Sequence, residues 1–175
     1  MTIIELHAQP DAAFATGLAT LLSQCVEQGA SVSFISPFSE EDAGGFWQQK
    51  VFGRLGQPRF CQLLAIEHQQ VVGTVLLDAQ LPPNQPHRGE VAKLLVSPDY
   101  RRRGIARQLM QALEAKARAW QLRLLTLDTA NSSNALALYL SLGFEVAGII
   151  PGFALTSDGK HYESTTVMYK SLAAD

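Results

Sequence analysis

The feature that most restricts the fold of this chain is a strand, a helix and a second strand in residues 90–127. Residues 90–96 and 122–127 are mostly apolar, which is typical of strands buried on both faces of a sheet. Residues 102–120 between them carry apolar side chains at helical spacing. Two strands that are joined by a crossover helix run parallel and lie side by side. We therefore predict a sheet that contains a parallel pair.

The other predicted elements make this a mixed sheet. Residues 60–67 and 71–78 have the pattern of an antiparallel hairpin. Further strands are predicted at residues 3–7, 144–150 and 163–169, and further helices at residues 10–29, 39–52 and 133–142. This order lacks the regular alternation of a doubly wound nucleotide-binding fold. The proline-rich residues 81–89 resemble a linker, but the hairpin before them is too small to be stable alone, so we expect one domain over residues 1–175.

Composition excludes several classes of protein. A hydrophobic content of 47% with 17% charged residues indicates a globular chain, and a net charge of −2 argues against a general nucleic-acid binder. No apolar run approaches the ~18 residues of a membrane span. The first residues lack a basic stretch followed by an apolar one, so we expect no signal peptide and a cytoplasmic protein. Cys25 and Cys61 are expected to be buried thiols, and no histidines have metal-ligand spacing, so no metal site is expected.

The turn between the first parallel strand and the helix carries three consecutive arginines, Arg101, Arg102 and Arg103, followed by Gly104. A helix N-terminus presents unpaired N–H groups and the positive end of the helix dipole, and neighbouring arginines would make it a seat for a pyrophosphate. The spacing matches neither a P-loop nor a Gly-x-Gly-x-x-Gly motif. Taken alone, the turn fits equally well a solvated basic helix start that happens to contain a glycine.

The residues around this turn, and the order of the elements, carry a family resemblance. They are Val96, Pro98, Arg101, Gly104, Ala106, Leu138, Tyr139, Gly143 and Phe144. This pattern resembles the GNAT superfamily of N-acetyltransferases over residues 3–172. Shorter segments resemble the branch that includes the tabtoxin resistance protein, namely residues 29–32, 46–47, 127–129, 150–155 and 158–159. The resemblance implies a mixed α/β fold with a mostly antiparallel sheet of about seven strands, one splayed parallel pair and about four helices.

The resemblance also implies acetyl-CoA as the cosubstrate. The backbone of Leu94, Leu95 and Val96 would pair with the pantetheine arm, and a β-bulge near these residues would separate the parallel strands to admit it. The pyrophosphate would lie on Arg101, Arg102, Arg103, Gly104, Ile105 and Ala106. Many members have an asparagine seven residues before the tyrosine, where this chain has Ser132. Asn131, Ser132 and Asn134 are therefore alternative contacts for the CoA arm.

Acetyl transfer to an amine needs a proton acceptor, because an alkyl amine with a pKa of about 10.4 is ~99.9% protonated at pH 7. The resemblance implies Glu90 and Asp128 as general-base candidates. Each also fits an ordinary role, Glu90 as a strand-end carboxylate and Asp128 as a helix cap. Glu90 lies about 13 Å along the strand from Leu94, so it would act through water or on a long substrate. Tyr139 matches the tyrosine that faces the CoA sulfur as an acid or hydrogen-bond donor; the alternative is a half-buried helical tyrosine.

The acceptor site is expected between residues 31–47 and the loop at residues 82–89. Aromatic side chains would line it, and two basic side chains would select a substrate carboxylate: Phe34, Phe38, Phe46 and Trp47, with His87 and Arg88. Taken singly, each aromatic residue fits a place in the core better, and the basic pair fits a solvated loop equally well.

Three functions remain open from the sequence. The first is an N-acetyltransferase for a small-molecule amine such as an amino acid, an antibiotic or a toxin. The second is an acetyltransferase for a protein lysine or N-terminus, which would need an open acidic groove in place of an aromatic pocket. The third is an acyl-CoA-binding domain without catalysis. A homodimer through the last strands is expected by analogy, and neither a nucleic acid nor a membrane is expected as a partner.

Overall fold

Seven strands form one sheet in the order β1-β2-β3-β4-β5-β7-β6. The structure is a computed structural model and describes residues 1–172. The strands are β1 Thr2–Leu6, β2 Phe60–Glu67, β3 Gln70–Asp78, β4 Arg88–Val96, β5 Leu124–Ala130, β6 Glu145–Leu155 and β7 Tyr162–Ser171. The β4–β5 pair is parallel, and the other five neighbouring pairs are antiparallel. The mixed sheet with one parallel pair is confirmed.

Four α-helices connect the strands, at Ala12–Glu27 (α1), Glu40–Phe46 (α2), Ile105–Ala119 (α3) and Ala135–Ser141 (α4). Asp11 caps α1, because its side chain accepts a hydrogen bond from the backbone of Phe14 at 2.9 Å. Ser39 and Asp42 form a reciprocal capping box at the start of α2. After α2 the chain continues as a π-helical turn, Trp47–Val51, and a short 3₁₀ turn, Phe52–Arg54.

The helices cover both faces of the sheet. Leu18 and Leu22 of α1 pack with Trp47 against one face, which we call the α1/α2 face. Leu109 and Leu113 of α3 pack against the opposite face. Within residues 1–172, no helix is both long and apolar enough to cross a membrane.

The parallel strands are paired only near one end. Pairing runs from Arg88 opposite Leu124 to Glu90 opposite Thr126, and β4 has no strand partner on this side beyond Glu90 within residues 1–172. The register between β3 and β4 also shifts, because two residues of β4, Lys93 and Leu94, stand opposite one residue of β3. The predicted β-bulge is present, and the two strands diverge beyond it.

Two element boundaries differ from the sequence prediction. The third helix begins at Ile105 instead of Arg102, because Arg102 and Gly104 have left-handed φ angles of 64° and 79°. Strand β6 continues through Pro151 to Leu155, where it was predicted to end at Ile150. A register shift between Ile150 and Ala154 accommodates the proline in this edge strand.

Candidate active site

A cleft of about 760 Å³ opens where β4 and β5 separate. We call it the donor cleft. One wall is the C-terminal half of β4 with the arginine turn, and the other is the end of β5 with α4. Residues 28–32, which follow α1, close a third side. Because β4 lacks a strand partner here, its backbone groups on this side are available to a ligand.

The start of α3 supplies unpaired donors to the donor cleft. The first helical hydrogen bond runs from the Gln108 N–H to the Gly104 carbonyl at 3.1 Å, so the N–H groups of residues 105–107 have no partner inside the helix. Gly104 has a φ of 79°, and a Cβ atom there would meet open space. A ligand can therefore approach this backbone closely.

The three arginines of the turn are placed differently. Arg101 and Arg102 line the donor cleft. Arg103 does not, because its guanidinium lies 4.8 Å from the ring centroid of Tyr100 and donates to the carbonyl of Asp99. Arg101 also donates to the side chain of Gln28 at 3.4 Å, which links the turn to the end of α1. Two of the three predicted pyrophosphate arginines are thus at the cleft.

On the opposite wall of the cleft, the three residues predicted as alternative CoA contacts have different positions. Ser132 and Asn134 line the donor cleft. Asn131 is not among the lining residues, since its side-chain oxygen accepts a hydrogen bond from the Thr166 hydroxyl at 2.6 Å. Ser132 itself donates to the carboxylate of Glu163. Asn134 precedes the first turn of α4, and its side chain makes no capping hydrogen bond.

Tyr139 lies at the cleft wall and is only 6% exposed. Its ring packs edge-on against Phe144, with the centroids 5.6 Å apart. Burial raises the pKa of Tyr139 well above its usual range, and the negative charge of Asp128 raises it further. The side chain is therefore protonated at neutral pH. Within residues 1–172 its hydroxyl makes no hydrogen bond, so it is free to donate one to a bound molecule.

The two predicted carboxylates have different surroundings. Asp128 lines the donor cleft and accepts a hydrogen bond from the Thr165 hydroxyl at 2.9 Å. Glu90 lies outside that cleft and accepts from the Arg88 guanidinium at 2.8 Å. Asp128 is a residue of β5, which continues to Ala130 instead of ending at Leu127 as predicted.

Comparison with known proteins identifies the family. The model of the acetyltransferase (GNAT) family matches residues 19–144. The chain belongs to the GNAT family.

Three solved structures with the same fold come from proteins that are named for different activities. Ribosomal-protein-alanine N-acetyltransferase from Brucella melitensis is 22% identical with a TM-score of 0.75, and 98% of this chain matches 100% of that one. The putative acetyltransferase yncA from Salmonella typhimurium, solved with acetyl-CoA, is 17% identical with a TM-score of 0.77, covering 100% of this chain and 96% of that one. Aminoglycoside 6'-acetyltransferase type Ii is 17% identical with a TM-score of 0.72, covering 100% and 99%.

As a GNAT acetyltransferase, the protein uses acetyl-CoA, and the donor cleft fits this molecule. Unpaired N–H groups at the start of α3, with Arg101 and Arg102 beside them, suit a pyrophosphate. The unpaired side of β4 suits the amide groups of a pantetheine arm. The described part of the chain holds no group of three or more His, Cys, Asp or Glu residues that could bind a metal ion.

Some of the residues predicted to bind the acceptor are buried or lie away from the donor cleft. Trp47 is fully buried, and its indole N–H donates to the Leu18 carbonyl at 2.9 Å, so its prediction as a lining residue is wrong. Phe34 is half-buried and stacks on Phe38 with centroids 4.4 Å apart. The carbonyl of His87 accepts from the backbone N–H of Leu124 at the paired end of the parallel strands, away from the cleft.

Arg88 also differs from its predicted role. Its guanidinium donates to Glu90, to the Thr126 hydroxyl at 2.7 Å and to the side chain of Gln85. These three partners hold the guanidinium at the base of the parallel pair. The prediction that Arg88 selects a substrate carboxylate is therefore corrected, because four of its five N–H donors already have acceptors in the protein.

The sequence interpretation missed two groups at the cleft. Lys93 is the bulge residue of β4, with a φ of 52°, and a single lysine within the otherwise apolar residues 91–96 was the available signal. Cys25 lines the cleft, and its thiol donates to the Val96 carbonyl at 3.6 Å. Burial raises the pKa of Cys25, although the charge of Arg101 acts in the opposite direction.

Proposed function

We propose that this acetyltransferase transfers the acetyl group of acetyl-CoA to the amine of a small molecule, by direct attack while both substrates are bound. The observation that carries this proposal is an arch of two loops, residues 28–39 and residues 156–161. The arch bounds the space in which an acceptor could meet the donor cleft. The segments that resemble the tabtoxin-resistance branch support a small acceptor as well.

The arch is held by specific contacts. The backbone N–H of Ser36 donates to the Ser157 carbonyl at 2.7 Å. The carboxylate of Glu27 accepts from the Ser36 hydroxyl at 2.8 Å and from the Phe38 N–H at 2.7 Å, which fixes the first loop. The second loop lies beyond the end of β5, because β7 runs antiparallel to β5 from Ala130 onward. The two loops thus bridge the open end of the parallel pair, which disfavours an extended protein segment as the acceptor.

In the proposed mechanism, Asp128 accepts the proton of the acceptor amine, directly or through one water molecule. Glu90 is disfavoured because it is paired with Arg88 and lies outside the donor cleft. The neutral amine then attacks the thioester carbonyl, a C–N bond forms and the C–S bond breaks. Asp128 releases the first proton to solvent and takes the second nitrogen proton as the C–N bond forms, and the sulfur leaves with the electron pair of the C–S bond.

Tyr139 is proposed to stabilise the departing sulfur. Burial and the charge of Asp128 keep its pKa well above that of a thiol near 8.5, so full proton transfer to the thiolate is unfavourable. A hydrogen bond from the Tyr139 hydroxyl requires no such transfer. We therefore assign Tyr139 as a hydrogen-bond donor, with the proton of the product thiol supplied finally by solvent. Arg101, Arg102 and the N–H groups at the start of α3 would hold the CoA pyrophosphate.

The test is release of free CoA from acetyl-CoA with a panel of acceptors. The panel contains small amines, amino acids, aminoglycosides, and peptides with a free N-terminus or an internal lysine. Turnover with small amines but not with peptides is expected. Turnover with peptides alone would favour a protein acceptor, and CoA binding without turnover of any acceptor would favour a non-catalytic domain.

The same assay tests which of the two carboxylates is the general base. Asp128→Asn is expected to lower kcat by about 100-fold, because general-base catalysis typically contributes at least that factor. Glu90→Gln is the matched control, since it removes a carboxylate of the neighbouring parallel strand, and it should change kcat by less than about threefold. The opposite ranking of the two variants would assign the base to Glu90.

A further inference from the structure

The α1/α2 face of the sheet carries a cation that the mechanism does not use. Most charged groups on this face near β4 are paired. Arg54 is 2.6 Å from Asp78, and Arg88 is 2.8 Å from Glu90. Lys93 takes part in none of the ion pairs formed within residues 1–172.

The β-bulge of β4 determines where Lys93 points. Its ammonium donates to the Val32 carbonyl at 3.1 Å and lies 5.5 Å from the ring centroids of both Phe34 and Phe46. An ammonium has three N–H donors, so two are left without an acceptor in the part of the chain that the structure describes. Burial lowers the pKa of Lys93, and the charge of Asp128 counteracts that effect. The structure thus holds a partly desolvated cation whose hydrogen bonds are incomplete.

Lys93 stands between two spaces. It lines the donor cleft, and it also lines a smaller pocket of about 210 Å³ beneath α2, together with Phe46, Phe60, Asp78, Glu90 and Ala92. An acceptor that occupies the smaller pocket would therefore reach the donor past Lys93. Asp128, which has the opposite charge, lines the donor cleft on the other side.

We propose that Lys93 binds the carboxylate of the acceptor, and that the substrates are amino acids and close analogues that carry a carboxylate near the amine. Two charges of opposite sign, neither of which has an ion-pair partner among residues 1–172, complement the two charges of a zwitterion. Lys93 then has the selecting role that the sequence interpretation gave to His87 and Arg88. This inference rests on the proposed function, because it assumes a small acceptor and an amine that meets Asp128.

The experiment compares matched acceptors with the full chain. Each set contains an amino acid, its amide and the amine that lacks the carboxyl group, for example phenylalanine, phenylalaninamide and phenethylamine. The measured quantity is the ratio of kcat/KM for the amino acid to kcat/KM for the two analogues. Comparing this ratio between variants cancels differences in the basicity of the three amines.

In the unmodified chain, at least one set should favour the amino acid by about tenfold or more, the effect of one charge-assisted hydrogen bond. Lys93→Met, which keeps a long apolar side chain, should lower the ratio at least tenfold, mainly through a higher KM for the amino acid. Lys93→Arg, which keeps the positive charge, should have a kcat/KM ratio between those of Lys93→Met and the unmodified chain. Thermal unfolding and acetyl-CoA binding of each variant show whether it is folded.

Several outcomes would overturn the inference. One is a preference for the analogues over every amino acid, which would leave the proposed function standing. A second is a lower ratio in Lys50→Met but not in Lys93→Met, which would assign the carboxylate to the exposed lysine beneath α2. A third is acetylation of Lys93 itself by acetyl-CoA alone, detected by peptide mass spectrometry, because an amide at Lys93 cannot bind a carboxylate as a cation.

Discussion

Tyr139 and Asp128 illustrate how two side chains acquire complementary properties from their surroundings. Asp128 is exposed, whereas Tyr139 is buried, and the charge of the first raises the pKa of the second. A tyrosine that stays protonated suits donation to a departing sulfur, and an exposed carboxylate suits acceptance of a proton from an amine. The different degrees of burial of Tyr139 and Asp128 thus suit one side chain to hydrogen-bond donation and the other to proton acceptance.

Replacing Tyr139 by Phe is expected to lower kcat by about 100-fold and to change the KM for acetyl-CoA by less than about threefold. In its proposed role the hydroxyl contacts the substrate most strongly as charge develops on sulfur, while phenylalanine keeps the ring packing against Phe144. Steady-state kinetics give both constants. Phe144→Leu is the control, because it disturbs the same ring contact without removing a hydroxyl. An unchanged kcat in Tyr139→Phe would exclude the proposed role.

The sequence could indicate Tyr139 and Asp128 because their positions depend on local pattern and on the order of elements. It could not indicate Lys93 in the same way. The direction of that side chain depends on a bulge in β4, which exists only when β4 is paired with β3. Likewise, Arg88 and Glu90 form an ion pair in the folded chain, and a sequence does not show which charges neutralise each other.

The end of β4 and the start of α3 together build the donor site. The bulge separates β4 from β5, and the left-handed residues of the turn delay the helix until Ile105. This delay is the reason why the helix prediction was three residues too long at its start. It also leaves Gly104 at the rim of the donor cleft, with space where a side chain would be.

Gly104→Ala is therefore expected to raise the KM for acetyl-CoA about tenfold, because a methyl group would occupy the space next to the unpaired N–H groups. The left-handed φ of 79° should also cost about 1 kcal/mol of stability. Gly152→Ala is a matched control, since Gly152 has a φ of 59°, an equally open surrounding and a position outside the cleft. Chemical denaturation and acetyl-CoA kinetics of both variants separate the two effects. If the KM for acetyl-CoA were the same in Gly104→Ala and Gly152→Ala, acetyl-CoA would not bind next to Gly104.

At the scale of the whole molecule, the separation of β4 from β5 weakens the connection between the two parts of the sheet, because only three residue pairs join them within residues 1–172. Helix α3 compensates by connecting both outer regions. Lys116 of α3 lies 2.7 Å from Glu5 of β1, and Glu114 of α3 contacts Lys170 of β7. The element order predicted a crossover helix between two parallel strands, but these two ion pairs depend on side-chain geometry that only the folded chain provides.

Glu114→Gln should consequently lower the free energy of unfolding by about 1 kcal/mol at pH 7, a value reduced for partial exposure. Burial raises the pKa of Glu114, but hydrogen bonds from Lys170 and Arg118 outweigh this effect and hold the pKa below its ordinary 4.5. The stabilisation is therefore complete above about pH 4.5 and is lost as the pH falls through the lower folded-state pKa of Glu114.

Urea denaturation of the unmodified chain and of Glu114→Gln at several pH values measures the difference in the free energy of unfolding. Lys160→Met, which removes an exposed ion pair with Asp158, should leave the free energy of unfolding almost unchanged. If the difference for Glu114→Gln does not shrink at acid pH, the carboxylate does not connect α3 to β7 in the proposed way.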